Sequence, residues 1–350
     1  MGLPAPTPTP AQERTPPRYR RSNICLAWHP PRYLVYHTPM QKTTIPIVAI
    51  IGPTASGKSD AAVATARVIK KHARQLGVNG AEIVSADSRQ VYRGFNLTSG
   101  KITKKEMGGI PHHLLDVASP HRTFTVSRYQ KLGRAAIRKI LFQKKIPIIC
   151  GGTGLFVDAL LLDTRFPAAP PNAALRAKLE KLSAERLFAR LQKKDPRRAA
   201  TIDRHNKRRL IRALEIIAAT GKPIPPATQG PYYQKIIRVG INPPHNTLAE
   251  RIEKRVYARI KKGMIAEVTR LHKNGLSWRR LEQFGLEYRW IARYLQKKIT
   301  KDEMIASLTQ DIKHYAKRQM TWFKKNADIT WFSDPARIAP FIRKTLSSHV

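Results

Sequence analysis

The stretch IPIVAIIGPTASGKSDAA, residues 45–62, combines an apolar run, a glycine-rich turn and the beginning of a helical pattern. The run 45–51 is almost entirely apolar, which is typical of a parallel strand covered on both faces. Gly52–Ser59 then matches the pattern G-x-x-x-x-G-K-[ST], whose backbone amides bind phosphate when a strand precedes it and a helix follows it. We therefore predict a phosphate-binding loop on an α/β sheet.

The residue types of this loop predict how it works. Gly52 and Gly57 allow the backbone to curl around a phosphate, Lys58 neutralises charge, and the Ser59 hydroxyl suits Mg²⁺, which we expect as the cofactor. The predicted phosphate contacts are Gly52, Pro53, Thr54, Ala55, Ser56, Gly57, Lys58 and Ser59. The loop alone leaves a kinase, a GTPase and a transferase open.

Two absences narrow these alternatives. A conventional NTPase places an Asp for Mg²⁺ at the end of a buried strand, but the run Ile146–Cys150 ends in Gly151. Asp87 and Asp116 are the remaining candidates for that role. The sequence also lacks an Asn-Lys-x-Asp segment for guanine recognition, so a GTPase switch is disfavoured.

Apolar runs and helical patterns alternate along the chain, which predicts a parallel sheet with helical crossovers. The fold class is therefore α/β, a P-loop NTPase-like parallel sheet flanked by helices, with a mostly helical insertion domain. Further predicted strands are 82–86, 146–150 and 235–241, and predicted helices are 58–75, 126–143, 248–271, 286–296 and 301–323.

Composition divides the chain into three parts. Residues 1–40 are rich in Pro, Thr and Arg and predict a disordered extension, with Met40 as an alternative start. Residues 41–168 and 232–350 form the predicted core domain, and 169–231 the insertion. Residues 175–222 carry 15 Lys or Arg against 5 Asp or Glu, which marks the insertion as the nucleic-acid face.

The whole chain is strongly basic, with 65 Lys and Arg against 23 Asp and Glu and a formal charge of +42. Such an excess attracts polyanions, although a merely basic surface is the competing interpretation. With only Cys25 and Cys150, a disulfide framework or a cysteine zinc site is excluded. No apolar segment approaches the roughly 20 residues of a membrane span. We expect a cytoplasmic protein without a membrane partner.

Several motifs in one order resemble the tRNA dimethylallyltransferase (isopentenyltransferase) family over about residues 45–332. They are the loop itself, SADSRQVY at 85–92, PHHLLD at 111–116, GGT at 151–153, RRLIRALE at 208–215 and AKRQMTWF at 316–323. Two segments depart from the family pattern: LTSGKI at 97–102 stands where many members have G-T-A-K-P, and FGLEYR at 284–289 stands for I-G-Y-R-E. The departures put fine RNA selectivity in doubt, not the chemistry.

The resemblance implies dimethylallyl diphosphate as donor and, as acceptor, the exocyclic N6 amine of the adenosine 3′ of a tRNA anticodon. It further implies that Asp87 is the base, that Thr153 contacts the amine or the adenine, and that Arg255 is a second cation on the diphosphate. A helix N-cap is an equally good interpretation of Thr153.

The resemblance also implies that the protein binds the anticodon stem-loop as a monomer. By family position the RNA contacts are Asp87, Ser88, Arg89, Gln90, Arg176, Arg208, Arg209, Leu210, Ile211, Arg212, Lys317, Arg318 and Gln319. The arginine-rich helix has a solvated face as its plainer interpretation, and Trp322 and Phe323 fit a core better than a stacking platform.

Two other functions remain open from the residues alone. A small-molecule P-loop kinase would use the same loop and sheet, but the charge of the insertion argues against it. A non-catalytic RNA-binding protein would explain the charge, but the intact Lys58, Ser59 and Asp87 argue against that.

Overall fold

The sheet at the centre of the protein contains six strands in the order β3-β2-β4-β1-β5-β6, and every pairing is parallel. The computed structural model describes residues 1–2, 44–167, 169–225 and 230–348. The predicted extension lies outside the described residues, apart from residues 1–2. The P-loop NTPase-like parallel sheet flanked by helices is confirmed.

The strands are β1 Ile47–Ile51, β2 Ala81–Ser85, β3 His112–His113, β4 Ile146–Gly151, β5 Ile236–Ile241 and β6 Thr330–Phe332. The four predicted strands agree within two residues, because their apolar runs are buried on both faces. The edge strands β3 and β6 were not predicted. With two and three residues, they are too short for a periodic signal.

The helices flank this sheet and form the insertion. They are α1 Lys58–Lys71, α2 Lys104–Met107, α3 Val126–Phe142, α4 Gly154–Leu161, α5 Ala173–Glu180, α6 Ala184–Lys194, α7 Pro196–Thr201, α8 Lys207–Thr220, α9 His245–Lys261, α10 Met264–Lys273, α11 Trp278–Phe284, α12 Leu286–Leu295, α13 Lys301–Phe323 and α14 Ile338–Ser347. The single helix predicted over 248–271 is two helices, because Gly263 adopts a left-handed φ of 97° between them.

Each face of the sheet has its own apolar layer. On one face α1 and α14 pack through residues such as Ala62 and Ile342. On the other face α3, α4 and the helices α9–α13 form a larger cluster around Tyr129, Phe95 and Tyr288. Within the described residues, no helix is both long and apolar enough to cross a membrane.

The helices α5–α8 form a third, separate apolar cluster around Leu187, Leu191 and Leu210. The sequence predicted a mostly helical insertion, and its described residues contain four helices, including the short α7, which begins at Pro196. The segment leaves and re-enters the sheet domain at one place, since the Tyr232 amide donates to the carbonyl of Leu161 at 2.8 Å. The predicted domain limits at 169 and 231 fit this junction and stay a prediction.

Candidate active site

The turn after β1, residues 52–57, connects this strand to α1. Gly52 cannot carry a side chain, because a Cβ there would lie 2.8 Å from the carbonyl oxygen of Ile241. Gly57 has a left-handed φ of 86°, and the Lys58 amine folds back to donate to the Pro53 carbonyl at 2.9 Å. The Ser56 hydroxyl is buried without a hydrogen-bond partner in the described part of the chain. This is the geometry of a phosphate-binding loop.

Lys58 is a half-buried cation. Its pKa is lowered to about 8, chiefly by burial, with Arg255 and Arg259 acting in the same direction and Cys150 and Asp87 opposing the shift. Burial raises the pKa of the Cys150 thiol to about 12, so this cysteine is neutral and contributes no charge near pH 7. An anionic ligand would stabilise the charged form of Lys58.

Asp87 lies two residues beyond the end of β2, at the sheet edge that carries the loop. Its Oδ1 accepts from the backbone amides of Arg89 at 2.7 Å and Gln90 at 3.2 Å, which fixes the carboxylate in a turn. Burial lowers the pKa of Arg255, and the nearby charges of Glu287 and Asp87 oppose that shift. The carboxylate thus lies at the same sheet edge as the loop, and its charge acts on Lys58 and Arg255.

The last residue of β4 and the residues after it lie against the turn that carries Asp87. A Cβ on Gly151 would collide with the carbonyl of Ala86, which precedes Asp87. Thr153 Oγ1 accepts from the Ser88 amide at 3.1 Å. Thr153 occupies the N-cap position of α4, but its side chain makes no capping hydrogen bond. The hydroxyl faces the Asp87 turn instead.

Gln319 of α13 hydrogen-bonds to the phosphate loop and to the turn after β4. Its Oε1 accepts from the Thr54 amide at 2.8 Å, and its Nε2 donates to the Gly152 carbonyl at 2.8 Å. The side chain is buried, so the predicted RNA contact by Gln319 is wrong: both ends of its amide hold the loop. Lys317 and Arg318, on the other side of the helix, are exposed and free for that role.

Two arginines of α9 converge opposite the loop. A Cβ on Gly100 would collide with the guanidinium groups of both Arg255 and Arg259. Arg259 Nη1 lies 3.6 Å from Glu287 Oε1, and both side chains are 14% exposed. Burial and the charge of Arg255 lower the pKa of Arg259 to about 10. Arg259 was not among the predicted site residues; its position one helical turn after Arg255 was the available signal.

The turn that carries Gly100 is held by a buried acid. The Glu267 carboxylate accepts from the backbone amides of Asn96, Leu97 and Thr98, the shortest at 2.8 Å. Gln90 Nε2 donates to the Gly100 carbonyl at 3.2 Å, so this predicted RNA contact also supports the turn. No sequence signal marked Glu267.

Asp116, one of the two candidate carboxylates for Mg²⁺, is engaged elsewhere. Its Oδ1 accepts from the Lys101 amine at 2.5 Å. No three His, Cys, Asp or Glu side chains form a metal cluster within the described ranges. Mg²⁺ at a phosphate site needs only one or two protein oxygens besides the phosphates. The half-buried Ser59 in the first turn of α1, together with Asp87, fits that requirement.

The predicted RNA contacts of α8 divide into two kinds. Arg208 and Arg209 are exposed, as a nucleic-acid contact requires. Leu210 and Ile211 are 0% and 3% exposed in the α5–α8 core, so the prediction that they touch RNA is wrong. The helix periodicity turns them away from the arginine face.

Arg176 and Arg212 have a partner of their own. Arg176 Nε and Arg212 Nη1 donate to the buried carboxylate of Glu215 at 2.8 Å and 2.7 Å. Arg212 also donates to the Ala169 carbonyl at 2.8 Å. Both guanidinium groups therefore serve the fold of the insertion, which leaves Arg208 and Arg209 as its better RNA contacts.

Known proteins resemble the chain over most of its length. The IPP transferase family model matches residues 90–326. The tRNA dimethylallyltransferase of Shouchella clausii is 39% identical over 298 residues, 83% of this chain and 92% of the relative. That of Roseiflexus sp. is 40% identical over 287 residues, 80% and 90% of the two chains.

Solved structures also resemble this chain. The full-length tRNA isopentenylpyrophosphate transferase of Bacillus halodurans superposes with a TM-score of 0.62 at 34% identity, covering 87% of this chain and 97% of that one. A eukaryotic dimethylallyltransferase acting on tRNA shares the fold, with a TM-score of 0.65 at 23% identity over 79% and 69% of the chains. With its phosphate loop and the carboxylate beyond β2, the chain belongs to the IPP transferase family, the family of the tRNA dimethylallyltransferases.

Proposed function

We propose that this protein transfers the dimethylallyl group of dimethylallyl diphosphate to the exocyclic N6 amine of the adenosine 3′ of a tRNA anticodon. The products are N6-dimethylallyladenosine and diphosphate. The observation that carries the proposal is the position of Asp87, which two backbone amides fix at the same sheet edge as the phosphate loop and whose charge acts on the half-buried Lys58 and Arg255. The names of the relatives support the same reaction.

The diphosphate is the leaving group. Breaking the allylic carbon–oxygen bond leaves positive character on carbon and moves an electron pair onto the diphosphate. The loop amides, Lys58 and Arg255 stabilise that charge better as it grows than in the ground state. Ser59 would hold Mg²⁺ at the phosphates, where the ion supplies further neutralisation of charge.

Asp87 receives the proton. The N6 amine forms a bond to the allylic carbon while one of its protons passes to the Asp87 carboxylate, so the adduct leaves as a neutral amine. In the described part of the chain the backbone amides engage Oδ1, which leaves Oδ2 as the accepting oxygen. Thr153, fixed by the Ser88 amide, stands beside this turn to contact the adenine.

The adenine must leave its stack to reach this site. Exposed arginines and lysines hold the RNA backbone while it does so, with Arg208 and Arg209 on α8 and Lys317 and Arg318 on α13. Charged contacts to phosphate fix position without reading sequence. In this proposal the enzyme works as a cytoplasmic monomer.

The test is transfer of radiolabelled dimethylallyl from its diphosphate to unmodified tRNA. Asp87→Ala is expected to lower kcat about 10²- to 10⁴-fold, the range of a lost general base, while donor KM changes little. The exposed Asp302→Ala serves as control and keeps wild-type activity. Full activity of Asp87→Ala would refute the base, and ATP turnover without RNA or dimethylallyl transfer would refute the reaction.

A further inference from the structure

Two guanidinium groups occupy one small space beside the phosphate loop. Arg255 and Arg259 are four residues apart on α9, so they leave the same face of the helix. Both reach the α-carbon of Gly100, where any Cβ would collide with them. Two like charges held side by side and away from water repel each other, so the arrangement requires negative charge from another source.

The acids nearby do not balance these cations. Glu287 Oε1 is 3.6 Å from Arg259 Nη1, which is beyond hydrogen-bond length. Burial raises the pKa of Glu287 despite the neighbouring arginines, so its charge is itself poorly stabilised. Asp87 acts on Lys58, Arg255 and Arg259 alike, while two further carboxylates, Asp60 and Glu106, act less strongly on Arg255. The three half-buried cations thus depend chiefly on Glu287 and Asp87, and Asp87 is the proposed base.

The turn at Gly100, against which the two arginines lie, is held by hydrogen bonds. Gly100 has a left-handed φ of 62°, and its turn is fixed by the amide hydrogen bonds to Glu267 and by Gln90. Because the backbone is anchored on both sides, the Gly100 turn limits the space that the two guanidinium groups can occupy before any ligand arrives. Such preorganisation is what an anion site requires, since no reorganisation is needed on binding.

We propose that Arg259 binds the donor diphosphate beside Arg255 and Lys58. A diphosphate bears several negative charges, and guanidinium groups match its oxygens in pairs. The identity of the donor rests on the proposed function, but recognition of the diphosphate does not. The competing role of Arg259 is a structural ion pair with Glu287.

Inorganic pyrophosphate is the probe, titrated calorimetrically into the full chain at pH 7 and fixed salt. Arg259→Gln is expected to weaken binding about 10- to 100-fold, the loss of a hydrogen-bonded charge contact. Arg259→Lys retains the charge and loses less. The matched control is Arg251→Gln, an exposed arginine of the same helix, which stays within about twofold of wild type.

Glu287→Gln separates the two roles of Arg259. A diphosphate ligand predicts that Glu287→Gln binds pyrophosphate as tightly as wild type or more tightly, and that the double variant is as weak as Arg259→Gln. A structural ion pair predicts that both single variants lose binding and melting temperature together and that the double variant recovers them. The second pattern would overturn the proposal.

Diphosphate binding by Arg259 and the dimethylallyl transfer can be refuted independently of each other. Wild-type pyrophosphate affinity in a folded Arg259→Gln protein overturns the proposal even if dimethylallyl transfer continues. If Arg259→Gln weakens pyrophosphate binding and the wild type transfers no dimethylallyl group, the site stands and the proposed reaction falls. In an active enzyme, Arg259→Gln is expected to raise donor KM at unchanged tRNA affinity.

Discussion

The insertion and the edge of the sheet both contain a buried glutamate beside two arginines, yet the two sites differ. In the insertion the Glu215 carboxylate is satisfied on all sides, with Arg176 at 2.8 Å, Arg212 at 2.7 Å and the Asn172 amide at 2.6 Å. At the sheet edge Glu287 stays 3.6 Å from Arg259 and accompanies a surplus of cations.

The contrast separates charges that stabilise the fold from charges that await a ligand. Burial raises the pKa of Glu215, but the hydrogen bonds from Arg176 and Arg212 outweigh it and the net pKa is lowered. The pKa of Glu287 is raised, because its ion pair is too long to offset burial. A closed network contributes stability, while an unbalanced one marks a functional site.

The largest effect is expected where the closed network is opened. Glu215→Ala leaves Arg176 and Arg212 without their acceptor and is expected to lower the free energy of unfolding by about 3 kcal/mol. Urea unfolding monitored by circular dichroism measures it. Glu287→Ala is the matched variant and should lose clearly less. Equal losses would erase the distinction between the two sites.

Gly151→Ala tests how the sheet edge is assembled. The added Cβ collides with the Ala86 carbonyl, so β2 and β4 must separate next to Asp87. We expect a loss of about 2 kcal/mol in unfolding free energy and a fall in kcat. At Gly230, within the insertion junction, a Cβ meets nothing within 4 Å, and Gly230→Ala is the control. A fully active, stable Gly151→Ala protein would contradict the assembly described here.

Arg208 and Arg209, the exposed arginines of α8, test whether the insertion binds RNA. Arg208→Gln/Arg209→Gln is expected to weaken tRNA binding about tenfold and to lower the salt dependence by roughly one phosphate contact per residue. Filter binding across a salt series gives both numbers. Arg343→Gln/Lys344→Gln, an exposed basic pair on α14, removes the same charge and should change little. Equal losses of tRNA affinity in the two double variants would mean that the RNA is attracted by overall charge and not by the insertion.

The smallest effect is expected from pH at the sheet edge. Burial lowers the pKa of Lys58 to about 8, so its charge is present below that pH and is lost above it. Pyrophosphate affinity should therefore fall about fourfold between pH 7 and 8.5. Lys58→Arg keeps its charge throughout and corrects for titration of the ligand. Parallel pH profiles for the two proteins would refute the lowered pKa.

Local sequence was sufficient where the signal is local. The loop at 52–59, the four inner strands and the position of Asp87 beyond β2 follow from short patterns, and the structure has them where these patterns predict. Local sequence was insufficient where a residue of a motif could be either exposed or buried. Leu210, Ile211 and Gln319 fit an RNA-binding motif by position, but only their packing shows that they face inward.

The amino-acid sequence by itself determined the α/β class, the phosphate loop, the strand-ending carboxylate and the basic character of the insertion, because each depends on neighbours within one element. Only the tertiary structure decided that Arg259 joins Arg255 against Gly100, that Glu267 holds that turn, and that Gln319 joins α13 to the loop. These contacts bring together residues far apart in the chain. No periodicity records them, because they depend on how whole elements pack.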